Sequence, residues 1–162
     1  MPDTDKREIF SFSNFGYEGA IIKVETDLRN GIPAYDIVGL SDGEVKAARE
    51  RVMAAFKNSE VDYPKERILQ SLSPADIKKE GASFDLAMAL GILNEQANYK
   101  GDNVLVMGEL ELSGNVRPVK AVKQLDTLTE NYNELVENYN TLKEQINTKS
   151  FPQIRNSNTF ER

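Results

Sequence analysis

The chain of 162 residues holds no histidine and no cysteine. This removes imidazole-based triads, thiolate zinc sites, Cys nucleophiles and disulfide scaffolds. Acid–base or nucleophilic chemistry is left to Ser, Lys, Asp, Glu and Tyr. The densest gathering of such groups is Ser71–Leu93, SLSPADIKKEGASFDLAMALGIL. A Pro-Ala-Asp turn, the pair Lys78-Lys79 and a Gly-Ala-Ser corner lead there into an almost wholly apolar helix. Ser83 stands at the mouth of that helix, either as a reactive hydroxyl or as a helix cap. Ser is a preferred N-cap, and an acid such as Asp85 in the first turn suits the helix dipole. Oxygen-ligated Mg²⁺ lacks a DxDxDG-like loop to hold it.

The elements around this stretch follow from hydrophobic period. Residues 9–17, IFSFSNFGY, alternate apolar and polar as a half-buried strand does. AIIKVETDL, rich in β-branched residues, is a second strand, and IPAYDIVGL a third. Asn30-Gly31 between these two signals a hairpin. Ser41 and Glu44 form an S-x-x-E capping box. Behind it Val45, Ala48, Val52, Ala55 and Phe56 define an amphipathic helix to about Lys57. The other face of that helix carries Lys46, Arg49, Glu50, Arg51 and Lys57, readable as a solvated face with pairs such as Lys46/Glu50 or as a binding surface. RILQSLS reads as a short strand. The helix FDLAMALGIL is apolar nearly all round and belongs inside the domain, and Gly91 within it marks close packing against a neighbour. NVLVMGELEL and NVRPV read as a strand pair joined at Ser113-Gly114-Asn115. The body is therefore mixed α/β.

From Lys123 the pattern becomes heptad: KQLDTLT ENYNELV ENYNTLK EQINTKS. Leu125, Tyr132, Tyr139 and Ile146 form one column, and Leu128, Leu135 and Leu142 another three places on, as in a coiled coil. One reading packs this helix on its own domain. The other pairs it with another chain, a homo-oligomer. Residues 150–162 are polar and expected to be disordered. A net charge of −6 argues against a globally basic nucleic-acid binder. No apolar run is long enough to span a bilayer, and the acidic N-terminus lacks a secretory pattern, so a cytoplasmic address without membrane partners is expected.

Three blocks, NGIPAYDIVGLSD (Asn30–Asp42), Ser71–Leu93 and GELELSGNVRPVKAV (Gly108–Val122), resemble in order and spacing the N-terminal domain of the magnesium-chelatase-like competence proteins, the ComM or YifB-like family. The resemblance covers residues 9–124. It implies a Lon-protease-like domain (ChlI-type) of the ribosomal protein S5 domain 2-like fold, an α/β sandwich, followed here by a heptad-patterned helix over 125–149. In that family the domain precedes an AAA+ ATPase module that forms hexameric rings, and the role this implies is DNA branch migration during natural transformation. This chain has no G-x-x-x-x-G-K-[ST] loop, so ATP and Mg²⁺ are expected only in that separate module and no cofactor in the chain itself. The family continues the α/β domain where this chain turns heptad, as a truncated or rearranged member would.

Laid on the Lon pattern, Gly81-Ala82-Ser83 matches the serine corner, and Gly114–Val119 the later strand that places Lys123 as the lysine. In such a dyad a buried, neutral lysine takes the hydroxyl proton, and helix N–H groups hold the oxyanion. Phe84 and Asp85 oppose it, because the active peptidases have small residues there. The leading expectation is a non-catalytic module that assembles with an AAA+ machine, with Lys46, Arg49, Arg51, Lys78, Lys79, Arg117 and Lys120 as candidate phosphate contacts. The alternative is a Ser83–Lys123 peptidase.

Overall fold

A computed structural model describes residues 6–15, 18–79 and 81–148. Side chains within 14–18, 120–129 and 147–148 lie outside that set, as does the tail expected to be disordered. The chain divides into two compact units, Met1–Val122 and Lys123–Arg162.

The first unit runs β1 (Ile9–Phe15), β2 (Glu18–Arg29), β3 (Tyr35–Val38), α1 (Asp42–Asn58), β4 (Arg67–Ser73), α2 (Asp85–Ala97), β5 (Val104–Leu105), β6 (Glu109–Leu110) and β7 (Val116–Arg117). Five strands make one mixed sheet in the order β3-β4-β2-β1-β5. β2 is antiparallel to both β1 and β4, while β3 is parallel to β4 and β5 parallel to β1. β3 and β4 are joined through α1, the helical crossover that parallel neighbours need. Helix α2 packs on β1 and β2 and touches α1, and β6, paired with β7, lies against both α2 and α1.

The expected hairpin at Asn30-Gly31 does not form. Its flanking strands, β2 and β3, are separated by β4, which pairs with both. A local turn signal was outweighed by non-local pairing: β4 offers β2 a seven-residue antiparallel ladder, from Lys23 opposite Ser73 to Arg29 opposite Arg67. Within the five-stranded sheet, the antiparallel neighbours that do follow one another in the chain are β1 and β2. The strand pair expected around Ser113-Gly114-Asn115 forms as β6 and β7, but Val104-Leu105 leaves it and joins β1 in the main sheet.

The core is built from period-two and period-3.6 faces meeting. Ile22 and Val24 of β2 and Ile68 and Leu72 of β4 point inward, against Val52 and Phe56 of α1 and Ala87, Met88 and Ile92 of α2. Polar side chains share the inner face: Ser11, Ser13 and Gln70 are all buried. Gln70 occupies the inward position between Ile68 and Leu72. Its amide donates to Thr26 Oγ1 and to the Met88 carbonyl, both at 2.8 Å, and its carbonyl oxygen accepts from the Tyr35 hydroxyl. The amide is thus satisfied in a site where an unpaired one would cost about 1–3 kcal/mol. Gly91 makes this knot possible. A Cβ there would lie 2.6 Å from Thr26 Oγ1 and 3.0 Å from Gln70 Nε2, which is the close packing its position inside α2 foretold.

The second unit contains α3 (Lys120–Thr148), whose first residues fall in the body. Of its heptad columns Tyr132, Leu135, Tyr139, Leu142 and Ile146 are each more than half exposed.

Candidate functional site

The corner at Ser83 is held by its backbone. Gly81 takes a positive φ of 78°, and the Asp85 N–H returns to the Ala82 carbonyl at 3.2 Å. The Gly108 N–H donates to the Ser83 carbonyl and the Leu86 N–H to the Gly108 carbonyl, both at 3.2 Å. Gly108 must be glycine-sized for this approach, since a Cβ would meet Leu86 Cδ2 at 2.8 Å. The third sequence block is therefore stitched to the second at the mouth of α2.

Ser83 is not the cap of α2. Phe84 holds that position in the αR region, and no side chain closes the helix start. Ser41 likewise stands at the N-cap of α1 without a side-chain hydrogen bond, so the capping box there marks the helix start but is not closed. Ser83 itself is half-buried, whereas the two residues after it go inward. Phe84 is 2% exposed and belongs to the core. Asp85 is equally enclosed and is gripped by Arg51 in a fork, Nε to Oδ2 at 2.6 Å and Nη2 to Oδ1 at 3.0 Å. Burial pushes the Asp85 carboxyl above its usual range, and the Arg51 guanidinium and the Leu110 N–H act the other way. Planar bidentate pairing is the arrangement that makes an enclosed carboxylate tolerable. Neither Phe84 nor Asp85 is an obstacle added to an open pocket; both are fastenings of α2 to α1 and the core.

Lys79 is the other surprise. Only 4% exposed, its ammonium donates to the carbonyls of Pro74 (2.6 Å), Gly39 (3.0 Å) and Ile77 (3.0 Å). Burial lowers its pKa. It ties the Pro-Ala-Asp turn to the β3–α1 connection, where Gly39 has a φ of 96° and a Cβ would strike the Leu72 carbonyl oxygen at 2.3 Å.

The seven candidate phosphate contacts thus part company. Lys46 and Lys78 are exposed. Arg117 is exposed and paired with Glu111. Arg51 and Lys79 are turned to internal partners and are poorly placed for phosphate. Arg49 is half-buried, with Nε enclosed and without a hydrogen-bond partner, beside Tyr35 and Tyr63. The side chain of Lys120 lies outside the described residues. So does that of Lys123, which falls in the other unit from Ser83. A 540 Å³ cleft on the body is lined by Arg7, Ile9, Leu90, Leu93, Tyr99 and Val104 among others, none of them from the Ser83 corner. Among the described residues, no group of three or more carboxylates gathers as a metal site would require, and no helix is long and apolar enough to cross a membrane.

The pairs that sequence reasoning missed, Arg51–Asp85 and Gln70 with Tyr35 and Thr26, had a partial signal. Asp85 and Gln70 each interrupt an apolar face at an inward period. Their partners lie 34, 35 and 44 residues away in sequence, which periodicity cannot reach.

A mixed α/β body whose two central blocks meet at a serine corner is the class that the structure defines. The family model described as subunit ChlI of Mg-chelatase matches residues 24–136, and the chain belongs to this magnesium-chelatase-like, ComM/YifB-like family. It is 36% identical over 117 residues to the competence protein ComM of Haemophilus influenzae and 42% identical over 107 residues to YifB of Escherichia coli. An uncharacterized protein of Mycobacterium tuberculosis is 38% identical over 116 residues. The matches cover 70%, 64% and 70% of this chain but only 23%, 21% and 23% of those relatives, so the chain spans about a quarter of their length.

Proposed function

We propose that the chain is a non-catalytic, Lon-like module of a magnesium-chelatase-like AAA+ protein that processes DNA, as in branch migration during natural transformation. Its body has the role of a ribosomal protein S5 domain 2-like scaffold, and α3 that of an assembly element. ATP and Mg²⁺ belong to the AAA+ module, the partner that supplies the motor. The similarity to a competence protein supports the DNA role. The non-catalytic half is carried by one observation: the two residues after Ser83 are committed to the core, Phe84 by packing and Asp85 by its fork with Arg51. Lys46, Lys78 and Arg117, which are exposed, are the candidates to meet phosphates.

Retention of branched and single-stranded DNA by the full chain, measured at rising salt, tests the DNA role. Binding that weakens steeply with salt is expected; no retention at low salt removes it. A fluorophosphonate probe tests the other half. Ser83 is expected to stay unlabelled, and labelling that disappears in Ser83→Ala would establish the Ser83–Lys123 peptidase instead.

A further inference from the structure

Helix α3 runs 29 residues, roughly 43 Å at the helical rise. Its composition is poor for a solitary helix. Asn131, Asn133, Asn138, Asn140, Thr127, Thr129 and Thr141 all have weak helical preference, and an isolated helix depends on packing its apolar face. That face, from Tyr132 to Ile146, is exposed to solvent. The helix needs a partner, and its own columns say which. Beside the apolar seam, one flank reads Gln124, Asn131, Asn138, Gln145, and the other Thr129, Val136, Lys143. The glutamates Glu130, Glu137 and Glu144 fall in a single column on the far side. A seam with amides on one flank and one cation on the other has no charge pattern for recognising a foreign acidic or basic helix, and nothing that repels a copy of itself.

Direction follows from matching the columns. In a parallel pair each column faces its own copy across the seam, so Tyr132 meets Tyr132 and Tyr139 meets Tyr139, two rings in one layer. The flanks then cross, setting Val136 against Asn131. Reversing one helix sets the first apolar column against the second and each flank against itself. Centred on Glu137, the reversed register puts Tyr132 opposite Leu142, Leu135 opposite Tyr139, and Leu128 opposite Ile146. The two central layers, Tyr132 with Leu142 and Leu135 with Tyr139, then each join one large and one medium side chain, as close packing favours. On the flanks Val136 meets Val136, Asn138 meets Asn138, and Asn131 meets Gln145.

We infer that α3 binds a second copy of this chain as an antiparallel two-stranded coiled coil centred on Glu137. This rests on reading α3 as the assembly element and is independent of the DNA role.

The chain has no cysteine, so one introduced thiol reports the register. Sedimentation of the full chain should give a concentration-dependent dimer. Leu135→Asp should raise the dimer dissociation constant by at least about tenfold, because a charge enters a central layer. Under mild oxidation Asn138→Cys should form a covalent dimer with itself, and Tyr132→Cys should not. A chain that stays monomeric at all concentrations overturns the inference, even if it binds DNA. So does a trimer or larger species, or cross-linking by Tyr132→Cys without cross-linking by Asn138→Cys.

Discussion

Helices α2 and α3 both repeat apolar residues at helical spacing, yet they meet opposite surroundings. α2 spends 13 residues between a sheet and a second helix, and two of its polar groups, Asp85 and Asn94, are enclosed. α3 runs 29 residues, and its apolar columns from Tyr132 to Ile146 stand in solvent. In α2 the apolar residues run nearly all round, and specificity comes from polar knots at its start and middle. In α3 they form a stripe, and specificity is left to the columns beside it. Helical period therefore says that a face exists, whereas the width of the face says how much of the helix is enclosed.

The contrast can be broken at its strongest point first. Asp85→Ala leaves the Arg51 guanidinium without its acid and should destabilise the body by about 3–5 kcal/mol in denaturant unfolding. Asp85→Asn, which keeps an acceptor for the fork, should lose less. An equal loss for the two would mean that charge, not hydrogen bonding, holds the corner.

Next is Gly91→Ala against Asn140→Ala. Both substitutions improve helix propensity. In α2 the new methyl meets Thr26 and Gln70 and should cost about 1–2 kcal/mol net. On the exposed face of α3 the change should stay within about 0.5 kcal/mol and raise helicity. A stabilising Gly91→Ala, read by thermal unfolding, would show that the Gln70 knot yields more easily than its packing implies.

A smaller effect is expected in alkali. Burial raises the Tyr35 hydroxyl well above its usual value of 10.0, and the Tyr63 hydroxyl to about 12. Both pKa values are higher folded than unfolded, so above pH 10 the unfolded chain releases protons that the folded chain keeps, and stability falls as pH rises towards 12. Lys79 works the other way. Its folded pKa is lowered from 10.5, so its contribution rises with pH until the unfolded lysine also loses its proton. Tyr63→Phe should therefore flatten the decline between pH 10 and 12 in urea titrations. An unchanged slope would place the alkaline sensitivity elsewhere.

The smallest effect on the body is expected from α3. Leu135→Ala should move the unfolding midpoint of residues 6–119 by less than about 0.5 kcal/mol while weakening self-association. A large shift of that midpoint would mean that the stripe is buried against its own domain after all.

How far the fold was legible depended on the distance between cause and effect. The start of α1 behind Ser41, the strand RILQSLS, the interior place of α2 and the tight packing at Gly91 all rest on neighbours in sequence, and all appear where period and propensity put them. The hairpin at Asn30-Gly31 failed because β4 enters between its strands from nearly forty residues on. Ser83 failed as a cap because Phe84, drawn into the core, takes the position at the start of the helix.

The serine corner gathers both lessons. By itself the sequence determined that no histidine or cysteine chemistry was open, that Gly81-Ala82-Ser83 precedes a buried helix, and that a heptad stripe follows the body. These are properties of composition and local period. Only the tertiary structure decided that Asp85 is the acid held by Arg51, that Lys79 is an internal strut rather than a surface cation, and that Phe84 is core. Each depends on a partner brought close by packing across the sheet and helices, and on the burial that makes an unpaired charge too costly to leave alone.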